Sequence, residues 1–108
     1  MRIYPHLHLF SEDYFKVLNL NPDEITITSR NTHHTWRLVC SQTEDLIVVF
    51  HKHKDADPFH FHTACISAED AVLEIKNHDA FQLNGRRPVF PVYTRTGVIM
   101  PRQRRRQK

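Results

Sequence analysis

Two apolar segments joined by a short polar loop make up residues 46–66, which read LIVVFHKHKDADPFHFHTACI. Both segments are rich in β-branched and aromatic residues, which favour the strand conformation. The connection between them, residues 54–58, is too short to link parallel strands, because these need a crossover of about a dozen residues or more. The stretch therefore predicts an antiparallel hairpin with strands at residues 46–53 and 59–66.

The segments before this hairpin extend it into a larger sheet. Apolar side chains alternate with other residues over residues 24–30 and again over residues 35–42, which is the pattern of a half-buried strand. Trp36 falls on the apolar side of the second segment, and we expect it to anchor the core rather than to stack on a ligand. Because the connections are short, the sequence predicts an antiparallel meander of about four strands.

Two helices are predicted to flank the meander. The first is expected to begin at Ser11 and to end before Asn21-Pro22. Ser67, followed three positions later by Asp70, is a variant of the capping box and predicts a second helix over residues 67–79. The side chains that share one face of the second helix are Ala71, Val72, Ile75 and His78. The predicted fold is therefore α+β, with both helices packed on the sheet.

Charge is distributed unevenly along the chain. Residues 1–79 hold all twelve acidic side chains and seven of the fifteen lysines and arginines, whereas residues 80–108 hold the other eight basic residues and no acid. We interpret residues 1–100 as a single domain and residues 101–108 as a flexible basic tail. Arginine suits phosphate oxygens, so the tail predicts contact with nucleic acid or with a nucleic-acid-handling protein, unless it is only a solubilising segment. The predicted contact residues are Arg86, Arg87, Arg95, Arg102, Arg104, Arg105, Arg106 and Lys108.

Histidine is in excess, with nine residues in the chain, and the hairpin carries two His-x-His pairs. Side chains two positions apart in a strand point to the same face. If His53 lies opposite His60 and His51 opposite His62, four imidazoles share one face with neighbouring Cβ atoms about 5 Å apart.

Three interpretations of these four histidines remain open. As metal ligands they suit a transition metal such as zinc, with Asp55 and Asp57 able to add carboxylates. As catalytic groups they suit acid–base chemistry on a phosphodiester, since histidine titrates near neutral pH. The third interpretation, which the absence of a recognised metal or catalytic spacing favours, is that they are ordinary polar side chains at strand ends.

Other motifs are weaker. The run from His60 to Cys65 partly resembles the histidine-triad nucleotide hydrolases, but Ala64 occupies the place of their third alternate histidine, so we reject the match. The pair His33-His34 stands in a predicted turn and is expected to be solvated. Cys40 and Cys65 are expected to be buried free thiols. With two glycines in the chain, no glycine-rich phosphate loop is present.

The leading functional prediction is a small, non-enzymatic binding protein that contacts nucleic acid through its arginine-rich C-terminal segment. The alternatives are a histidine-dependent or metal-dependent phosphodiesterase or nuclease, and a protein-binding regulator or inhibitor. The longest apolar run has five residues and the chain opens with no charged-then-apolar leader, so we expect a cytoplasmic protein without membrane contact. Uncovered sheet edges predict a homodimer, through an edge strand or through the face carrying Phe50, Phe59 and Phe61.

Overall fold

The computed structural model describes residues 2–90, 92–94 and 97–99. One antiparallel sheet contains five strands whose spatial order follows the chain. These strands are β1 (Phe15–Asn21), β2 (Glu24–Ser29), β3 (Thr35–Cys40), β4 (Ile47–Lys52) and β5 (His60–Cys65). A 3₁₀ helix (Tyr4–Leu9) precedes the sheet, helix α1 (Ala68–Leu83) follows it, and strands β6 (Val92–Thr94) and β7 (Gly97–Ile99) pair with each other. The α+β prediction is confirmed, with five strands in the main sheet instead of four.

The predicted first helix is wrong, because β1 occupies most of that segment and pairs with β2. The side-chain oxygen Oδ1 of Asn21 accepts hydrogen bonds from the backbone N–H groups of Asp23 (2.9 Å) and Glu24 (3.0 Å). Asn21-Pro22, interpreted above as a helix end, therefore forms the turn of a β-hairpin. The apolar residues of this segment fit helical spacing and strand alternation alike, and pairing with β2 decides between the two.

Helix α1 covers one face of the sheet and closes the core. It begins as predicted, since Oγ of Ser67 accepts a hydrogen bond from the backbone N–H of Asp70 (3.1 Å). Trp36 is 0% exposed, which confirms its predicted role as a core anchor, and both cysteines are free and buried. The other buried residues that α1 and strands β2–β4 contribute to this core are Ala68, Ala71, Val72, Ile75, Ile25, Ile27, Leu38, Ile47 and Val49.

A buried carboxylate connects the second half of α1 to two segments next to the strands by hydrogen bonds. Asp79 is 0% exposed, and it accepts hydrogen bonds from the hydroxyl of Tyr14 (2.8 Å) and from the hydroxyl of Thr32 (3.0 Å). Tyr14 stands just before β1, and Thr32 stands in the turn between β2 and β3. Burial, together with the hydrogen bond to Asp79, raises the pKa of Tyr14. The helix is therefore held at two separate points of the chain.

The described part of the chain contains no helix that is long and apolar enough to cross a membrane. The predicted basic tail, residues 101–108, lies outside the described residues.

Candidate metal centre

The β4–β5 hairpin brings its histidines together in a register that differs from the predicted one. His51 lies opposite His60, so the predicted pairings of His53 with His60 and of His51 with His62 are both wrong. Residues 47–49 of β4 already pair one position earlier in β5 than predicted, and a bulge after Val49, where β5 contains one extra residue, His62, adds a second position. A bulge changes the direction in which a strand side chain points, and strand alternation alone does not predict where a bulge occurs.

His51 is buried because it continues the inward-facing series of β4. Strand alternation places Ile47, Val49 and His51 on one face, and His51 is only 1% exposed. Its imidazole stacks on the indole of Trp36, its cross-strand partner in β3, with ring centroids 4.0 Å apart. The site is therefore an extension of the core between the sheet and α1.

Two histidines from outside the hairpin join His51. Nδ1 of His34, which directly precedes β3, lies 3.1 Å from Nε2 of His51. His78 lies on α1, and its ring centroid is 4.8 Å from that of His51. One nitrogen from each of these three residues lies within 4.8 Å of the other two. We call His34, His51 and His78 the three-histidine cluster.

The prediction that both residues of the His33-His34 pair are solvated is wrong for His34. Backbone hydrogen bonds join the N–H of His33 to the carbonyl of Ser29 (2.8 Å) and the N–H of Ser29 to the carbonyl of His34 (2.9 Å). His33 adopts a left-handed conformation with φ of 63°, so the chain reverses at this residue. His33 stays exposed, whereas His34 turns inward and is 7% exposed.

Sequence reasoning placed His78 on the core face of α1 but did not connect it with the hairpin. The connecting signal was present, because His51 and His78 each continue an apolar series on elements that pack against each other. His34 gave no comparable signal, since its inward direction depends on the conformation of the preceding residue.

Burial favours the neutral form of the three imidazoles. Burial, followed by repulsion from neighbouring histidines, lowers the pKa of His51 to about 3. Burial also lowers the pKa of His34 and of His78, with smaller contributions from His53 and His62 respectively. A neutral imidazole presents one nitrogen lone pair that can bind a metal ion.

One buried atom of the cluster lacks a hydrogen bond. Nδ1 of His78 is buried, and it has no hydrogen-bond partner within the described part of the chain. A buried polar atom without a partner costs free energy, so such an atom in a native fold calls for an explanation. A bound cation would explain the missing hydrogen bond, because the lone pair of this nitrogen would then be used in coordination.

The remaining hairpin histidines surround the three-histidine cluster. His53 and His60 are exposed, with rings 4.4 Å from His34 and 5.3 Å from His51 respectively. His62 is partly buried, and its Nε2 lies 3.3 Å from Oε1 of Glu74 on α1. The structure thus brings all four predicted histidines to one side of the hairpin. Asp55 and Asp57, the predicted carboxylate ligands, are exposed in the β4–β5 loop and are not part of the cluster.

The predicted nucleic-acid contacts are only partly described. Arg86 and Arg87 are exposed directly after α1, where Arg86 adopts a left-handed conformation. The other predicted contact residues lie outside the described residues, and they are Arg95, Arg102, Arg104, Arg105, Arg106 and Lys108.

Comparison of the chain with protein-family models, with curated proteins and with solved structures finds no match. The donor set of the site nevertheless has a definite chemical preference. Imidazole suits zinc, copper, nickel and iron, whereas magnesium and calcium prefer oxygen ligands. Three converging imidazoles, of which two are buried and that of His78 is partly buried, are therefore suited to a divalent transition metal.

Proposed function

We propose that this protein binds a divalent transition-metal ion, zinc in the first instance, through His34, His51 and His78. The observation that carries the proposal is the convergence of three imidazoles, those of His34 and His51 buried and that of His78 partly buried, with nitrogens within 4.8 Å of one another. Tetrahedral zinc with Zn–N bonds of about 2.0–2.1 Å separates its ligand nitrogens by about 3.4 Å. Nδ1 of His34 and Nε2 of His51, joined by a hydrogen bond at 3.1 Å, already have nearly this separation, and an ion would replace the hydrogen bond once the donor ring carries its proton on its other nitrogen.

An ion held here would connect three segments that are distant in the sequence. His34 belongs to the β2–β3 turn, His51 to β4 and His78 to α1. Binding would therefore hold α1 against the sheet, and it would stabilise the fold by about 2.7 kcal/mol when free metal exceeds the dissociation constant a hundredfold. The burial of His34 and His51 favours a structural or sensing ion over a catalytic one, because catalytic zinc keeps a position open to substrate.

Thermal unfolding of the chelator-treated protein, with and without zinc, tests this proposal. At a hundredfold excess of zinc over the dissociation constant, we expect the parent Tm to rise by roughly 10 °C for a chain of this length. His34→Asn should abolish the rise. The matched control is His33→Asn, which makes the same change one position earlier and tolerates the left-handed backbone there. No rise in the parent, or an equal rise in His34→Asn, would contradict the proposal.

We propose nucleic-acid contact by the basic C-terminal region as a second function. The specific support is the charge segregation of the chain, with eight basic and no acidic residues over residues 80–108, together with the exposure of Arg86 and Arg87. Binding and cleavage of RNA and DNA should be measured with and without chelator. Binding without cleavage supports this function, and cleavage supports the nuclease alternative. If the protein neither binds nor cleaves nucleic acid, the protein-binding regulator is the remaining alternative.

A further inference from the structure

His62 lies beside the three-histidine cluster at the β-bulge, outside the group of residues whose nitrogens are within 4.8 Å of one another. As the extra residue of β5, it departs from the alternation of that strand, and its side chain is only 19% exposed. Its ring centroid lies 5.7 Å from that of His51 and 5.2 Å from that of His78. Its ring plane is steeply inclined to both, at 67° and 89°. Ring nitrogens that lie in inclined planes can direct their lone pairs towards a common point.

Glu74 fixes which nitrogen of His62 is free. An ionised carboxylate only accepts hydrogen bonds, so Nε2 of His62 must carry the proton in its 3.3 Å contact with Oε1 of Glu74. This hydrogen bond also lowers the pKa of Glu74, which favours its ionised form. Nδ1 of His62 is then the nitrogen with the lone pair. Metal-binding histidines in proteins characteristically donate their other N–H group to a carboxylate or a carbonyl in this way.

The other two hairpin histidines fit the same role less well. The ring of His53 is stacked on that of His34 with only 16° between their planes, so the in-plane lone pairs of the two rings do not converge on one ion. His60 is exposed, and no hydrogen bond from its ring to a carboxylate is found over the described ranges. Of the three surrounding histidines, His62 alone combines burial, inclination and a carboxylate partner.

We infer that Nδ1 of His62 is the fourth ligand of the ion and that Glu74 is the residue that positions it. The inference rests on the metal site proposed above. With four imidazoles the site is closed, tetrahedral and without a coordinated water, which suits Zn²⁺ and Co²⁺. The ion would then connect β5, as well as the β2–β3 turn, β4 and α1, and its role would be structural or sensory.

Cobalt(II) titration of the chelator-treated full chain tests this inference, because tetrahedral Co²⁺ absorbs visible light much more strongly than six-coordinate Co²⁺. We expect the parent to show the tetrahedral spectrum and to be insensitive to added azide, since no position is open. His62→Ala should weaken Co²⁺ binding about 10–100-fold and open a position, so that azide changes its spectrum. Glu74→Gln, which removes the charge and keeps the side-chain shape, should weaken binding without making the spectrum sensitive to azide.

Two matched variants serve as controls. His60→Ala removes an exposed histidine of the same strand, and Glu69→Gln removes an exposed glutamate of the same helix. Both should bind Co²⁺ like the parent. The inference is overturned if azide changes the parent spectrum, or if His62→Ala and Glu74→Gln both bind Co²⁺ as tightly as the parent does. Failure of the parent to bind Co²⁺ at all would instead overturn the three-histidine site, and this inference with it.

Discussion

Removing the Asp79 carboxylate should destabilise the protein far more than removing an exposed acid. Asp79 is 0% exposed and accepts two hydroxyl hydrogen bonds, from Tyr14 at 2.8 Å and from Thr32 at 3.0 Å. Hydrogen bonds to charged groups contribute about 1.5–3 kcal/mol each, and the two hydroxyls would lose this acceptor together. We therefore expect Asp79→Ala to lower the free energy of unfolding by about 3–5 kcal/mol.

The assay is urea unfolding in the presence of chelator, followed by the fluorescence of Trp36, the one tryptophan of the chain. Tyr14→Phe alone should cost about 1.5–3 kcal/mol, and much less when Asp79 is already alanine, because the shared hydrogen bond is then gone. Asp55→Ala, in the exposed β4–β5 loop, should change stability by less than about 0.5 kcal/mol.

Two results would refute this account of how α1 is held. One is that the losses in the free energy of unfolding from Tyr14→Phe and Asp79→Ala add in the double variant, and the other is that Asp79→Ala alone loses less than about 1 kcal/mol. The prediction also bears on the metal site. Asp79 is adjacent to His78 in the sequence, and Thr32 is two residues before His34. We therefore expect Asp79→Ala to weaken zinc binding as well, because the proposed ligands His34 and His78 would no longer be held in alignment.

Three further predictions concern pH, nucleic acid and assembly. Because the folded state holds the pKa of His51 at about 3, below its ordinary value of 6.5, the stability that neutral His51 contributes is present above pH 6.5 and is lost as pH falls towards 3. The metal-free protein should thus be less stable to urea at pH 5 than at pH 7, and equal midpoints would contradict this. Deletion of residues 101–108 should make nucleic-acid binding less sensitive to salt. The slope of log affinity against log salt concentration should fall by about 0.7–0.9 for each phosphate that the protein no longer neutralises. An unchanged slope would show that this segment does not contact the phosphates. Phe50 and Phe61 lie on the sheet face opposite α1, and Phe61 is 61% exposed. If this face forms a homodimer, Phe61→Lys should weaken it. A monomeric mass of the parent protein by light scattering would refute the dimer.

Much of the fold could be predicted from the sequence because, over residues 24–83, the pattern of each segment agrees with its pairing and burial in the assembled fold. Alternation in β2 and β3 matches their burial patterns, and short connections force antiparallel pairing. The Ser67 cap locates the start of α1, although the helix continues to Leu83 instead of ending near Asp79. Asp79 is buried with its own hydrogen-bond partners, so it is accommodated within the helix.

The N-terminal segment could not be predicted because its apolar residues fit two periodicities. Phe15 and Val17 suit a strand, while Tyr14, Phe15 and Leu18 also suit a helix. The deciding interactions are the pairing of β1 with β2 and the Asn21 turn, and pairing is a property of the assembled sheet.

The candidate site, too, could be predicted only in part from the sequence. Strand alternation correctly grouped the four hairpin histidines on one side. The bulge at His62 and the left-handed residue His33 were not predictable; the first places His62 beside the three-histidine cluster, and the second turns His34 into it. Convergence of His34 with His78 depends on how α1 packs on the sheet, which periodicity alone does not specify.

X-ray absorption spectroscopy of the zinc-loaded protein tests the central claim most directly, because it reports the ligands of the ion itself. The metal site predicts one zinc per chain, with three or four nitrogen ligands at about 2.0–2.1 Å and the outer-shell scattering of imidazole rings. In His34→Asn the imidazole contribution should fall or the zinc should be lost, while His33→Asn should match the parent. A zinc shell made of oxygen alone, or a parent protein that retains no zinc after gel filtration, would contradict the claim.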